Sequence, residues 1–184
     1  PQPEPGEPEG IWDEWWKGRE KELGWLGRPL GPAEHLAART PNVAPADLQP
    51  EGEGLEIERI EDTWKIAPRE PAAQFRFRLR GFTVESPDFV LSVEARRDPL
   101  PGYPAEIPGL FSARRVGASQ SYTAWLGTEW FTSWYYFPDV PSGAVEVEFT
   151  VEGGSPVYLR QIAAYNHPDA MFRRYERGIV LANP

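Results

Sequence analysis

Residues 144–164 read "AVEVEFTVEGGSPVYLRQIAA", and the period of this stretch decides the fold class. Its first eight residues put Val145, Val147, Phe149 and Val151 on one side of an extended chain and Glu146, Glu148 and Thr150 on the other, because successive side chains of a strand point to opposite faces. "EGGSP" then reads as a tight turn and "VYLRQIAA" as the next strand. The same period recurs upstream. "QFRFRLR" (74–80) alternates Phe75, Phe77 and Leu79 with Arg76, Arg78 and Arg80, and "LEIERI" (55–60) alternates Leu55 and Ile57 with Glu56 and Glu58. "FVLSVEAR" (89–96) offers Phe89, Leu91, Val93 and Ala95 to one side. Half-buried strands separated by Pro, Gly and Asp loops predict an antiparallel β-sandwich, and no βαβ unit fits. Arg76, Arg78 and Arg80 beside Glu146 and Glu148 invite a reading as a charged groove; the favoured reading is solvated strand faces that pair charges across the sheet.

A chain of 184 residues, 40% of them hydrophobic and 26% charged, can bury one substantial core, so one main domain is expected. With 28 acidic against 19 basic side chains the formal charge is −9, which repels phosphate backbones and anionic lipid; nucleic acid and membrane surfaces are not expected partners. No apolar run approaches the roughly 20 residues that cross a bilayer, and the first residues lack the basic and apolar segments of a signal peptide. The expectation is a soluble piece of a larger extracellular or periplasmic protein. Cysteine is absent, which removes disulfides, thiolate metal sites and a cysteine nucleophile. Only His35 and His167 are present, too few for a three-histidine zinc site within this chain.

Before the strands, "PQPEPGEPEG" (1–10) has no apolar anchor and reads as a linker. Ile11, Trp12, Trp15 and Trp16 follow at helical spacing, with Asp13 and Glu14 in the first turn and Gly24 as a stop, which predicts a short helix over 11–23. A helix that short needs a surface for its tryptophans. Residues 39–54, rich in Pro and Gly, read as loop. The expected division is therefore a linker at 1–10, a helix and extended loop packing on the sandwich at 11–54, and the sandwich itself at 55–184.

Catalytic machinery is hard to find. No G-x-S-x-G, phosphate loop or dinucleotide fingerprint is present. Glu85, Asp88, Glu94, Asp98, Glu129 and Asp139 offer pairs of the kind glycoside hydrolysis uses, but a chain this acidic supplies such pairs by chance. His167, in "AYNHPDA", reads as a loop histidine satisfying local backbone groups, and His35, in "PAEHLA", as a helix-surface residue. No cofactor is expected; calcium is the most plausible metal, since it takes loop oxygens, yet there is no D-x-D-x-D loop.

Two segments carry a family resemblance. "HPDAMFRRYERGIVLANP" at the end resembles the R-[FY]-E-x-G-x-V-L-x-N-P ending of bacterial glycoside-hydrolase-like proteins built on a TIM barrel, through Arg174, Tyr175, Glu176, Gly178, Val180, Leu181, Asn183 and Pro184. "WDEWWKGREKELGWLGRPLGP" is similar to the segment that precedes that ending, through Leu26, Gly27, Pro29, Leu30, Gly31 and Ala33. Between them, about 55–166 resembles a galactose-binding-like or carbohydrate-binding-module sandwich. The resemblance implies an accessory region of a carbohydrate-active protein, with possible docking to a catalytic domain of the same protein. It carries over no catalytic residue, because the barrel is absent.

"SYTAWLGTEWFTSWYYF" (121–137) holds eight aromatic residues in seventeen positions. Alternation puts Trp134 and Tyr136 on one face and Tyr135 and Phe137 on the other, so at least one pair belongs to the core. Tyr122, Trp125 and Trp130 read as loop residues freer to reach solvent. A sugar presents C–H faces that stack on an aromatic plane and a hydroxyl rim that bonds polar side chains. The fold expected is an all-β antiparallel β-sandwich of jelly-roll, galactose-binding-like type with a short N-terminal helix. The function expected is a noncatalytic carbohydrate-binding module for oligo- or polysaccharide, using Tyr122, Trp125, Glu129, Trp130 and Trp134 with Arg96, Asp98 and Tyr103 at the rim. Packing alone, a docking domain and a small sugar-cleaving enzyme stay open as alternatives.

Overall fold

The computed structural model describes residues 26–182, so the expected linker at 1–10, the helix at 11–23 and the last two residues lie outside the described residues. In chain order the strands are β1 (Glu34–His35), β2 (Pro50–Glu51), β3 (Leu55–Ile60), β4 (Thr63–Pro68), β5 (Gln74–Val84), β6 (Phe89–Arg97) and β7 (Gly109–Arg115). They continue with β8 (Tyr122–Leu126), β9 (Phe131–Phe137), β10 (Gly143–Glu152), β11 (Val157–Tyr165), β12 (Met171–Tyr175) and β13 (Gly178–Ala182). The described residues fall into two compact units, 37–168 and a second made of 26–36 with 169–182.

The larger unit is an antiparallel β-sandwich of two five-stranded sheets. One runs β2-β5-β10-β7-β8 and is called the β10 sheet; the other runs β3-β4-β11-β6-β9 and is called the β11 sheet. The two strands of the opening stretch thus lie in different sheets, and the turn between them crosses the core instead of closing a hairpin. Non-consecutive neighbours such as β5 with β10 and β6 with β11 are those of jelly-roll winding.

Alternation explains what is buried. Phe77, Phe111 and Phe149 from the β10 sheet stack with Phe149 in the middle, 5.0 Å from each neighbour, and Tyr135 of the β11 sheet stands edge-on to Phe111 and Phe149 at 6.3 and 5.7 Å. All four are buried. Removing one of these phenylalanine rings would cost about 3–5 kcal/mol. Tyr135 and Phe137 are the core pair of the aromatic stretch, with Trp134 and Tyr136 on the opposite face. In β5 the buried set shifts from Phe75, Phe77 and Leu79 to Phe82 and Val84; the pairing with β10 slips there, at Gly81 with φ +96°, a bulge that resets which face is buried. β11 does the same between Arg160 and Ala163, where Gln161 has φ +49°.

One charged side chain is sealed into an end of the sandwich. Arg97 is 1% exposed, its Nε donates to the Asp98 carbonyl at 3.3 Å, and burial lowers its pKa against the opposing pull of Glu152. Gly109 makes room for it, since a Cβ there would lie 1.7 Å from Arg97 Nη1.

Residues 39–54, expected as loop, contain β2. Its two residues pair with Leu79 and Arg78 of β5. In the smaller unit, β12 and β13 form a hairpin that turns at Glu176 and Arg177, and β1 pairs with β12. The two segments that carry the terminal resemblance meet here: Pro29 bridges to Tyr175 and Leu30 N donates to the Arg174 carbonyl at 2.9 Å. His35 is on strand β1, not on a helix surface. Its Nδ1 lies 3.5 Å from Asp169 Oδ1; burial lowers its pKa, and Asp169 acts in the opposite direction.

Candidate functional site

The eight residues expected to bind sugar fall in separate places. Arg96, Trp130 and Trp134 lie on the outer face of the β11 sheet, and Asp98 at its end. Arg96 stands over the Tyr158 ring at 4.0 Å and the Trp130 ring at 5.3 Å, and Arg160 stands over Trp130 at 4.1 Å. Arg160 also forks onto Glu94, with Nε at 2.5 Å and Nη2 at 3.1 Å. Tyr158 donates to Asp98 at 3.1 Å; burial, then this bond, raises the phenol's pKa. Trp134 stacks on Tyr165 at 6.1 Å. Cations thus already cover the Trp130 and Tyr158 planes, Trp134 lies on Tyr165, and Glu94 and Asp98 already accept hydrogen bonds.

Tyr122 and Trp125 belong to β8, a strand where a loop was expected. They point in opposite directions. Tyr122 turns inward, edge-on to Phe137 at 5.4 Å, while Trp125 turns outward and is 64% exposed. Glu129 is exposed between β8 and β9, and Tyr103, 64% exposed, lies in the loop between β6 and β7.

Trp125 opens onto the outer face of the β10 sheet, which shows two parallel rows of side chains. Trp125 pairs with Leu110; Leu110 N donates to Glu152 Oε2 at 3.0 Å, and Glu152 pairs with Gln74. In the adjoining row Thr123 pairs with Ser112, Ser112 with Thr150, and Thr150 with Arg76, and the Ser112 and Thr123 hydroxyls are 3.0 Å apart. From β8 to β5 is three strand spacings, about 14 Å. A cleft of about 940 Å³ lies at the β5 side, lined by Gln74, Arg76, Arg78, Arg80 and Glu148 among others.

The charge pairing anticipated across this sheet is present. Arg78 donates twice to Glu148 at 3.1 Å, Arg114 donates to Glu148 at 2.6 Å, and Arg80 pairs with Glu51 at 2.9 Å and Glu146 at 3.2 Å. Burial alone would raise the pKa of Glu148, but the bonds from Arg114 and Arg78 outweigh it and the net direction is down. Gln74, Thr123, Ser112 and Thr150, which share this face with Trp125, are not among the residues expected to bind sugar. Their signal was the alternation itself, yet only the register sets them beside Trp125. Among the described residues no three Asp, Glu or His side chains gather as metal ligands. His167, as expected, is a loop residue whose Nδ1 lies 2.6 Å from the Pro168 carbonyl oxygen.

No family model matches the chain, and no curated protein matches it. Similar solved structures include a family 29 carbohydrate-binding module from Piromyces equi, 10% identical, covering 73% of this chain and 92% of that one with a TM-score of 0.42. Another is a family 61 module in complex with beta-1,4-galactotriose, 10% identical, covering 68% and 92% with a TM-score of 0.43. A third is the CBM22-1–GH10 portion of Clostridium thermocellum xylanase 10B complexed with xylohexaose, 7% identical, covering 74% and 28% with a TM-score of 0.49. These likenesses are remote, and the question of a ligand rests on this chain's own residues.

Proposed function

We propose that the chain is a noncatalytic carbohydrate-binding module that takes an oligo- or polysaccharide across the outer face of the β10 sheet. The observation that carries this reading is Trp125, an indole 64% exposed on an edge strand and continuous with two rows of polar side chains. Its ring offers the plane for a sugar's C–H face, and Thr123, Ser112, Thr150, Glu152 and Gln74 offer donors and acceptors for its hydroxyls. Trp130 and Trp134, each stacked on a protein group, serve the β11 sheet instead. In this reading the module is an accessory part of a larger, glycoside-hydrolase-like protein working outside the cytoplasm.

Affinity electrophoresis against neutral and acidic polysaccharides, with tryptophan fluorescence on matched oligosaccharides, tests it. Trp125→Ala should lower affinity at least tenfold with the melting temperature unchanged, while Trp130→Ala keeps the affinity. Absence of retention on every polysaccharide of the panel would sink the proposal.

A second reading, docking to a catalytic domain of the same protein, is favoured by the smaller unit. There Leu30, Ile179 and Leu181 are 66%, 59% and 67% exposed, the last two on the edge strand β13, and exposed apolar side chains of this kind mark interfaces.

A further inference from the structure

We infer that the β10 face selects a carboxylate-bearing sugar, a uronate, and seats its carboxylate on Arg76. The inference rests on the proposal that this face binds carbohydrate and names the class of sugar.

Four arginines point outward here: Arg76, Arg78, Arg80 and Arg114. Arg78, Arg80 and Arg114 are held by Glu51, Glu146 and Glu148, whereas Arg76, among the described residues, makes no ion pair and no side-chain hydrogen bond. Its cross-strand neighbour on β10 is Thr150, a hydroxyl and not an acid. On its other side the chain passes as Gly52, where a Cβ would lie 2.9 Å from the Arg76 carbonyl oxygen and 2.4 Å from Leu55 Cδ1. Gly52 and Arg76 line the same cleft.

In a chain with nine more acids than bases, a loose cation on a sheet face is the exception. The cleft also holds Arg69, whose Nε is engaged by the Leu55 carbonyl, and the exposed loop acids Glu53 and Glu70. Glu53 and Glu70 are the charges a bound carboxylate must clear, and they sit on loops, whereas Arg76 is fixed in the strand. Guanidinium is planar and forks onto a carboxylate with two parallel N–H···O bonds, a match that a hydroxymethyl group does not reproduce, and a sulfate ester, which can be forked in the same way, offers less basic oxygens that accept more weakly. Arg76 lies one row from Gln74, at the end of the face opposite Trp125. A chain stacked on Trp125 therefore brings a sugar several residues along to the cation.

Titration calorimetry with α-1,4-linked galactotriose, α-1,4-linked trigalacturonate and a sulfated galacto-oligosaccharide of similar length tests the inference, since the first two then differ only at carbon 6. Trigalacturonate should bind at least tenfold tighter than galactotriose and tighter than the sulfated probe. The preference should weaken with salt, vanish in Arg76→Gln, and return in part in Arg76→Lys, with galactotriose affinity within about threefold throughout. Equal binding of the acidic and neutral probes, both lost in Trp125→Ala, would overturn the uronate class and leave the carbohydrate reading standing. Preference for the sulfated probe would likewise overturn the carboxylate. Binding of none of the three would overturn the uronate class, and the carbohydrate reading falls with it only if every polysaccharide of the panel also fails to retain the protein.

Discussion

The two outer faces of the sandwich carry the same kinds of side chain and differ in what those side chains have left to offer. On the β11 sheet, Arg160 lies 4.1 Å above Trp130 while forking onto Glu94, and Arg96 bridges Trp130 and Tyr158. Trp130, Tyr158, Trp134 and Glu94 on that face are each engaged by another side chain. On the β10 sheet, among the described residues, three arginines are neutralised across the ladder, one is not, and the indole at the far edge has no cation above it. Aromatic density therefore does not distinguish the two faces; the unmatched donor and the bare ring do.

The largest expected effect comes from removing the acid that keeps the β10 face quiet. Glu148 is 8% exposed at the centre of the sheet and accepts three charge-assisted bonds from Arg78 and Arg114. Such bonds contribute about 1.5–3 kcal/mol each when buried, but both arginines are more than 40% exposed and reach water in the variant. Glu148→Ala should cost about 2–3 kcal/mol, a fall of roughly 5–10 °C in Tm by calorimetry. It also frees Arg78 beside Arg76, so trigalacturonate affinity should rise severalfold in the same variant. A drop in that affinity would show that the neutralised ladder is part of the site, erasing the contrast between Arg76 and its neighbours.

Trp130→Ala makes the converse test on the other face. Cation–π contacts contribute about 0.5–1 kcal/mol at exposed sites, and Trp130 takes two of them. The variant should lose about 1–2 kcal/mol, read by urea denaturation, and retain its affinity for polysaccharide. Lost affinity with an unchanged midpoint would move the candidate site to the β11 sheet.

Much of the frame was legible because period-2 alternation is a local property. Strands β5, β6, β10 and β11 each carry it, and it correctly separated Tyr135 and Phe137 from Trp134 and Tyr136. The strands that escaped reading lie where alternation is short or masked. β2 has two residues, and β8 shows outward Trp125 between inward Ala124 and Leu126, an aromatic where a polar residue marks the solvent face. The site was legible only in part for a different reason. Trp125 was named among its residues, but Thr123, Ser112, Thr150 and Arg76 come from four strands spread over about seventy-five positions, and only the ladder register aligns them. No local pattern reports that Arg78 and Arg80 find acids while Arg76 faces a threonine.

The smallest effect separates the faces by pH. Glu148 has its pKa held below the ordinary carboxylate value of about 4.3 because the bonds from Arg114 and Arg78 outweigh the cost of burial. A lowered carboxylate contributes stability that is complete above its unfolded pKa and disappears as pH falls through the folded one. The gap in Tm between the parent and Glu148→Gln should thus be full at pH 7 and close below about pH 4. Tyr158 runs the other way. Burial, and then its bond to Asp98, raise the phenol above its ordinary value of about 10. Its contribution is complete below that pH and is lost as pH climbs through the raised value, so the gap to Tyr158→Phe should close only in strong alkali. Both groups reach partners that are partly exposed, which keeps each gap to about 1 kcal/mol or less, a shift of roughly 2–4 °C in Tm. Acid would then loosen the β10 face and alkali the β11 face. Gaps closing together at one end of the pH range would mean that the two ladders are electrostatically coupled through the core.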